Sequence, residues 1–430
     1  MFLYGTAVGR YKIFPFEVIQ YAQDSVDLVL AERETLLKQR PAWLLQKARY
    51  EGDGVTRFVK AKAAPGLTLL SGLFDDNLEL RLIEADGSIV ARWPVQFSGL
   101  FPDTTFIQPA GRVPQTDWNT NVHGSRLLPD GSLVFTFEAV GAARLDRCGA
   151  VEWTLPEMTH HTVSASARGT FWIPGMRHVL DDMRFPGLDA PYDEDLILEV
   201  SPEGKVLRKI SVLDLFSRKD LRALLFANGV GTPDVPGSHT PTHLNDVEEL
   251  TPAMAAKFPN FSAGDLLLSL RNYNLLMVID PDTGVVKWHQ VGPWLKQHDP
   301  DFQADGTISV FSNNTDTTFA GTILGGSTII DFTPFSRGSK VRYGGRPAQK
   351  LFTNVRGMHQ RQPNGNELIA EAHAGRVIEV TPSGEIVWEF INRYDAETVA
   401  IVTGATRYPY DYFTVTDWSC RADSSETPAR

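Results

Sequence analysis

The chain has 430 residues, 42% hydrophobic and 22% charged, the balance of a folded protein and not of a disordered one. A formal net charge of −11 excludes nucleic acid as the main partner, because phosphate binding needs a basic face. Two cysteines, Cys148 and Cys420, exclude a disulfide-dense scaffold and a thiolate metal cluster, and leave one bridge or two buried free thiols open.

Met1–Gly9 (MFLYGTAVG) is apolar but too short for a signal peptide's apolar region and cleavage site. It reads as an ordinary N-terminus or as the stub of a membrane anchor lying upstream of residue 10. No stretch reaches the roughly 18 apolar residues of a membrane helix. Residues 15–48 carry apolar residues at helical spacing, and Pro41 divides them into two helices. Residues 1–50 are therefore expected to form an N-terminal helical segment.

From residue 51 onward one unit repeats: apolar, acidic, turn, glycine, apolar, tryptophan. It reads LELRLIEADGSIVARW (78–93), ARLDRCGAVEW (143–153), LILEVSPEGKVLRKI (196–210), MVIDPDTGVVKW (277–288) and RVIEVTPSGEIVWEF (376–390). A degenerate copy is STIIDFTPFSRGSKVRY (327–343). Each is a β-hairpin: alternating apolar residues on both sides of a D-G or P-x-G turn. Before each hairpin lies a glycine-led strand, opened by Gly66, Gly131, Gly169, Gly264, Gly306 or Gly365. Six such units predict an all-β, six-bladed β-propeller over 51–418, with the glycine-led strands innermost. Each unit averages about 60 residues, against about 40–50 for an ordinary blade. The excess falls in insertions at 178–195, at the helical-looking 212–228 and at 251–263. Residues 405–418 add a strand that closes the ring, and the tail after 418 is polar and frayed.

The histidines follow the repeat. His123, His161 and His298 each stand eight residues before a strand glycine; His359 stands six before Gly365, and His243 precedes Gly264 across the 251–263 insertion. At the far end of the glycine-led strands come Glu138, Arg177, Arg271, Asn313 and His373. Equivalent positions in successive blades converge on one axis, so these residues predict two polar rings around one funnel. Variation within a regular register marks a site more than a structural repeat. Histidines serve as base, nucleophile or metal ligand. Two arginines beside them favour an anionic substrate over a divalent metal. There is no P-loop and no G-x-S-x-G elbow, so a group transfer without cofactor or metal fits best.

At these residues the sequence resembles the bacterial arylsulfotransferases that do not use a nucleotide sulfate donor. The likeness spans about residues 115–412 and is carried by VHGSRLLPDGSLVF, THHTVSASARGTFWIP, THLNDVEEL, the run from Asp265 to Trp288, QHDPDFQADGTISVFSNN and MHQRQPNGNELIAEAH. The resemblance implies a six-bladed propeller that moves a sulfuryl group from an aryl sulfate to a phenol. It implies a ping-pong path through a sulfated histidine. Carried over, the Q-H-D histidine His298 is the nucleophile. His243 and Asn245 form the H-x-N pair, Arg271 ends the next strand, and His161 is the second histidine of the H-H pair. His123, His359, Arg177, Asn313 and His373 follow as substrate-binding candidates. The tautomer of His298 would be fixed by Asp299 or a backbone carbonyl. The resemblance further implies a periplasmic or membrane-anchored protein, and a homodimer is an open expectation. The chain departs from the family's best-known members at its first 50 residues and at the residue before His243. Two competing readings remain at this stage: a non-catalytic binding or scaffold propeller, and a metal-dependent hydrolase or lyase built on the histidines.

Overall fold

The structure, a computed structural model, describes residues 4–5, 8, 14, 40–181, 184–185, 188, 190–217, 221–225 and 240–420. Six antiparallel sheets follow one another around a ring. Blade 1 is Val402–Tyr408, Leu67–Phe74, Asn77–Ile83 and Ile89–Pro94, from the axis outward. Blade 2 is Val122–Leu127, Leu133–Phe137, Ala142–Leu145 and Val151–Leu155; blade 3 is Ser164–Ala165, Phe171–Val179, Tyr192–Val200 and Val206–Ser211. Blade 4 is Leu244–Glu249, Leu266–Leu270, Leu275–Asp280 and Val285–Val291; blade 5 is His298–Phe302, Ile308–Ser312, Thr328–Phe332 and Ser339–Gly344. Blade 6 is Met358–Arg361, Glu367–Glu371, Arg376–Val380 and Ile386–Ile391, with Gly54–Phe58 as a fifth, outermost strand.

The six hairpins stand where the sequence puts them. Two expectations are corrected: the closing strand is Val402–Tyr408 and does not extend to 418, and the glycine-led strands are second in each blade, not innermost. The innermost strands are short and polar. Their polar side chains face a channel, and only a few apolar ones, such as Val122, Leu127, Leu244 and Val247, pack in the clusters between blades, so the apolar alternation that betrays a strand is weak. The six glycines that open the second strands have φ between 81° and 139°, the left-handed turn geometry that only glycine adopts without strain.

Each interface between neighbouring blades has its own apolar cluster. Blades 1 and 2 share Leu80, Trp93 and Phe135; blades 3 and 4 share Trp172, Ile197 and Leu268; blades 6 and 1 share Leu70, Val377 and Trp388. Burying one such aliphatic or aromatic side chain stabilises by about 1.5–3 kcal/mol. The repeat's tryptophan also fastens one blade to the next. The indole N–H of Trp93 donates to Asp146 O at 3.0 Å, that of Trp153 to Pro202 O at 2.9 Å, and that of Trp388 to Ala85 O at 2.7 Å. Each acceptor lies in the hairpin turn of the following blade.

Ring closure uses both ends of the described chain. Val402–Tyr408 pairs with Leu67–Phe74, matching Tyr408 to Leu67. The expected helix after Pro41 is a single 3-10 turn, Ala42–Leu44, followed by the strand Leu45–Lys47 paired with Thr398–Ala400. Leu44 and Leu45 are buried in the blade 1–2 cluster, which overrides their helix propensity. The helix expected over 15–39 and the tail 421–430 lie outside the described residues. Of the insertions, Val212–Phe216, Arg222–Leu225 and Pro252–Ala255 form short helices. Cys148 and Cys420 are joined in a disulfide, deciding between the two alternatives left by the sequence. No helix among the described residues is long and apolar enough to cross a membrane.

Candidate active site

A central cavity of about 400 Å³ is walled by the innermost strands and by residues just before them. Four of the five expected histidines meet at one end of these strands. The His161 ring centroid lies 3.8 Å from His123, 5.3 Å from His243 and 6.3 Å from His298. His161 and His243 both have φ of 55°. Bulky side chains rarely adopt this backbone, which is stored at functional sites more often than elsewhere.

All four imidazoles are neutral across the physiological range. Burial brings His298 down to about 3, helped by the Arg271 charge and opposed by its bond to Asn313. Burial likewise brings His123 down to about 3, against the pull of Glu138. His161 and His243 lie well below the usual imidazole value, first from burial and then from neighbouring imidazoles or Arg271. Arg271 is 4% exposed, and its backbone N–H donates to His243 O at 3.0 Å.

The tautomer of His298 follows from Asn313. The amide nitrogen of Asn313 donates to two carbonyls, Thr353 O at 2.9 Å and Arg356 O at 2.7 Å. Its oxygen must then accept, and it sits 2.7 Å from His298 Nδ1. His298 therefore carries its proton on Nδ1 and its lone pair on Nε2, 3.2 Å from the Arg356 N–H. The sequence expectation that Asp299 or a backbone carbonyl fixes this ring is corrected. Asp299 has φ of 52° and turns to His359 instead, accepting from its N–H at 2.5 Å and lying 3.0 Å from its Nδ1.

His359 is thus not a member of the cluster. Its ring is held between Asp299 and the Ser309 hydroxyl, 2.7 Å from Nε2. Asn245 lines the cavity and donates to Gln297 O at 2.7 Å. His373 sits in the 3-10 turn Ala372–Ala374 outside the cluster; burial, then Arg356 and Arg49, bring it down to about 4. Arg177 does not join the funnel. Blade 3's second strand continues to Val179, so Arg177 stays paired with Glu194, its Nε 2.6 Å from Oε2, with half its side chain exposed.

Three site residues escaped the sequence reading. Arg356, at φ 61°, binds Asn121 Oδ1 at 2.9 Å and Glu138 Oε2 at 3.2 Å while presenting its N–H to His298. His160 Nδ1 lies 2.8 Å from His161 Nδ1, and Asp195 lies behind it. Only the adjacency of His160 to His161 was a signal; Arg356 arrives from blade 6, and Asp195 from the third strand of blade 3, 35 residues further on. Further along the same inner strands Asp246, Glu248, Asp299 and Asp301 line the cavity. Burial raises Glu248 to about 8 and holds Asp246 and Asp301 well above the carboxylate range, with Asp299 adding repulsion. Among the described residues Asp299, Asp301 and His359 could hold a cation, their ligand atoms lying within 4.8 Å of one another.

The arrangement defines a propeller with a buried, cation-flanked histidine centre, suited to passing an anionic group to a neutral imidazole. Residues 124–393 match the arylsulfotransferase (ASST) family model, and the chain belongs to that family. No curated protein matches it. Among solved structures, a protein of unknown function from Bacteroides caccae is similar at 13% identity and TM-score 0.50, covering 79% of this chain and 98% of that one. A virginiamycin B lyase from Staphylococcus aureus has 12% identity and TM-score 0.39 over 79% of this chain and 88% of its own. The first of these likenesses speaks to the fold alone.

Proposed function

We propose that the protein transfers a sulfuryl group from an aryl sulfate to a phenol by a ping-pong path through sulfated His298. The observation that carries this reading is the His298–Asn313 pair: a buried, neutral imidazole whose lone pair is fixed on Nε2 and flanked by Arg271. Nε2 gives up the Arg356 N–H and attacks sulfur, the S–O bond to the aryl oxygen breaks, and the phenolate leaves with the electron pair. The ring keeps its Nδ1 proton against Asn313 Oδ1, so the sulfated imidazole carries balancing charges. Transfer to the acceptor reverses these events. The transferring group spreads charge over its oxygens, so catalysis is mainly positioning and charge stabilisation. Arg271, Asn245 and His243 act as donors to those oxygens. His161 exchanges a proton with the phenols.

Intact-mass measurement after incubation with a nitrophenyl sulfate tests this directly. The expected result is a gain of one sulfuryl group, lost on adding a phenol and absent in His298→Asn, which retains the fold but turns over at least about 10⁴-fold more slowly. Full activity in His298→Asn overturns the proposal. A metal-dependent hydrolase reading draws on Asp299, Asp301 and His359; stoichiometric metal tied to activity would favour it. The Cys148–Cys420 bridge supports export, since such bonds persist in oxidising compartments. Cell fractionation and light scattering test periplasmic location, a membrane anchor and the homodimer.

A further inference from the structure

We infer that His160 and Asp195 form a proton relay behind His161, storing the proton that passes between the two half-reactions. The inference rests on the sulfuryl-transfer reading above. His160 is 2% exposed and Asp195 1% exposed. Gly175 O, which can only accept, lies 3.2 Å from His160 Nε2. His160 Nε2 therefore bears a hydrogen, and its Nδ1 bears a lone pair. That lone pair faces His161 Nδ1 at 2.8 Å, so the His161 hydrogen is on Nδ1. His161 Nε2 is left as the basic atom.

A proton taken at His161 Nε2 cannot rest there. The ring is buried against three other imidazoles, and an extra charge among them is strongly disfavoured. His160 provides a resting place one ring further on, with Asp195 to balance its charge. Asp195 Oδ2 accepts from the Thr242 hydroxyl and from Leu244 N–H at 2.9 Å. Its Oδ1 lies 3.5 Å from His160 Nε2 and has no hydrogen-bond partner among the described residues. A buried carboxylate oxygen without a partner is costly; the His160 Nε2–H lies nearest to it, and a second proton on Nδ1 gives that ring the positive charge that draws the two together.

The steps balance. In the acceptor half-reaction the phenol O–H breaks and its oxygen takes the sulfuryl group as the N–S bond of His298 breaks; the electron pair returns to Nε2. The phenol proton goes to His161 Nε2, and the Nδ1 proton of His161 moves to His160 Nδ1. His160 is then an imidazolium facing Asp195. In the next donor half-reaction the same two transfers run backwards and protonate the leaving phenolate. His160 and Asp195 touch no substrate; they are positioning residues that act through His161.

A nitrophenyl sulfate leaves as a weakly basic phenolate and needs no proton, so its burst reports the donor half-reaction alone. Stopped-flow bursts, followed by chase with phenols of graded acidity, are measured in His160→Gln and Asp195→Asn. Glutamine can still donate to Gly175 O and accept from His161 Nδ1 but cannot take up a proton. In both variants the burst is expected to stay within about twofold of the unmodified protein. Transfer to phenol falls about 10²-fold, more for the less acidic acceptors. Unchanged acceptor transfer, or equal loss of burst and transfer in both variants, overturns the relay. Absence of any burst in the unmodified protein overturns the sulfotransferase reading instead.

Discussion

The two ends of the channel treat charge in opposite ways. At one end His123, His161, His243 and His298 are pushed down, and burial keeps them uncharged. Further along, Asp246, Glu248 and Asp301 are pushed up, and burial with mutual repulsion keeps them uncharged too. The same desolvation therefore makes bases of one set and acids of the other. The net charge of −11 describes neither. A cation stands near each end, Arg126 near Glu248 and Arg271 near His243 and His298; only at the histidine end does it stand among neutral lone pairs, which suits that end and its Arg271 to a sulfate ester.

Removing that cation is the strongest way to break the contrast. Arg271→Gln should slow the nitrophenyl sulfate burst by about 10²–10³-fold, the usual loss for one preorganised donor; a burst within a few-fold of normal would mean the anion is held elsewhere. The pH profile of the same burst sharpens the comparison at smaller amplitude. Protonation removes the His298 lone pair, and His298 protonates at about 3. The rate should stay flat from pH 8 to about 5 and fall only below that; a limb near 6.5, the ordinary histidine value, would contradict the burial argument. The smallest effect lies in the carboxylate stretch. A carboxyl raised by folding contributes stability at low pH that is lost as pH rises, because the unfolded chain ionises first. Asp246→Asn should therefore raise Tm by about 2–4 °C at pH 8 and leave it unchanged at pH 4. A lower Tm at pH 8 would mean that the charged form of Asp246 is useful to the fold.

The fold was legible because hairpin turns are local. D-G and P-x-G turns need only neighbouring residues, and the tryptophans Trp93, Trp153 and Trp388 that end three of the hairpins bond the next blade's turn. The innermost strands were hidden because a channel wall carries few apolar residues to alternate, Val122 and Leu127 in one strand, Leu244 and Val247 in another. Spacing alone brought His123, His161, His243 and His298 together, yet gave His359 the same role although Asp299 draws it away. Asn313 was visible as a register position but not as the partner of His298. Arg356 and Asp195 carried no local signal, since their partners lie far along the chain, 218 residues from Arg356 to Glu138 and 35 from Asp195 to His160.

The strand Val402–Tyr408 comes after every other blade strand yet forms the innermost wall of blade 1. A growing or translocating chain must therefore finish five complete sheets before the funnel has its sixth side. Until then the histidines stand in an open, water-filled cleft where their basicity is ordinary and their geometry unset. Chemical competence is in this sense a checkpoint on completeness: a chain cut anywhere before Val402 should be inert however well its earlier blades pack. Closure pairs Tyr408 with Leu67 across nearly the whole sequence, the kind of distant contact that forms slowly.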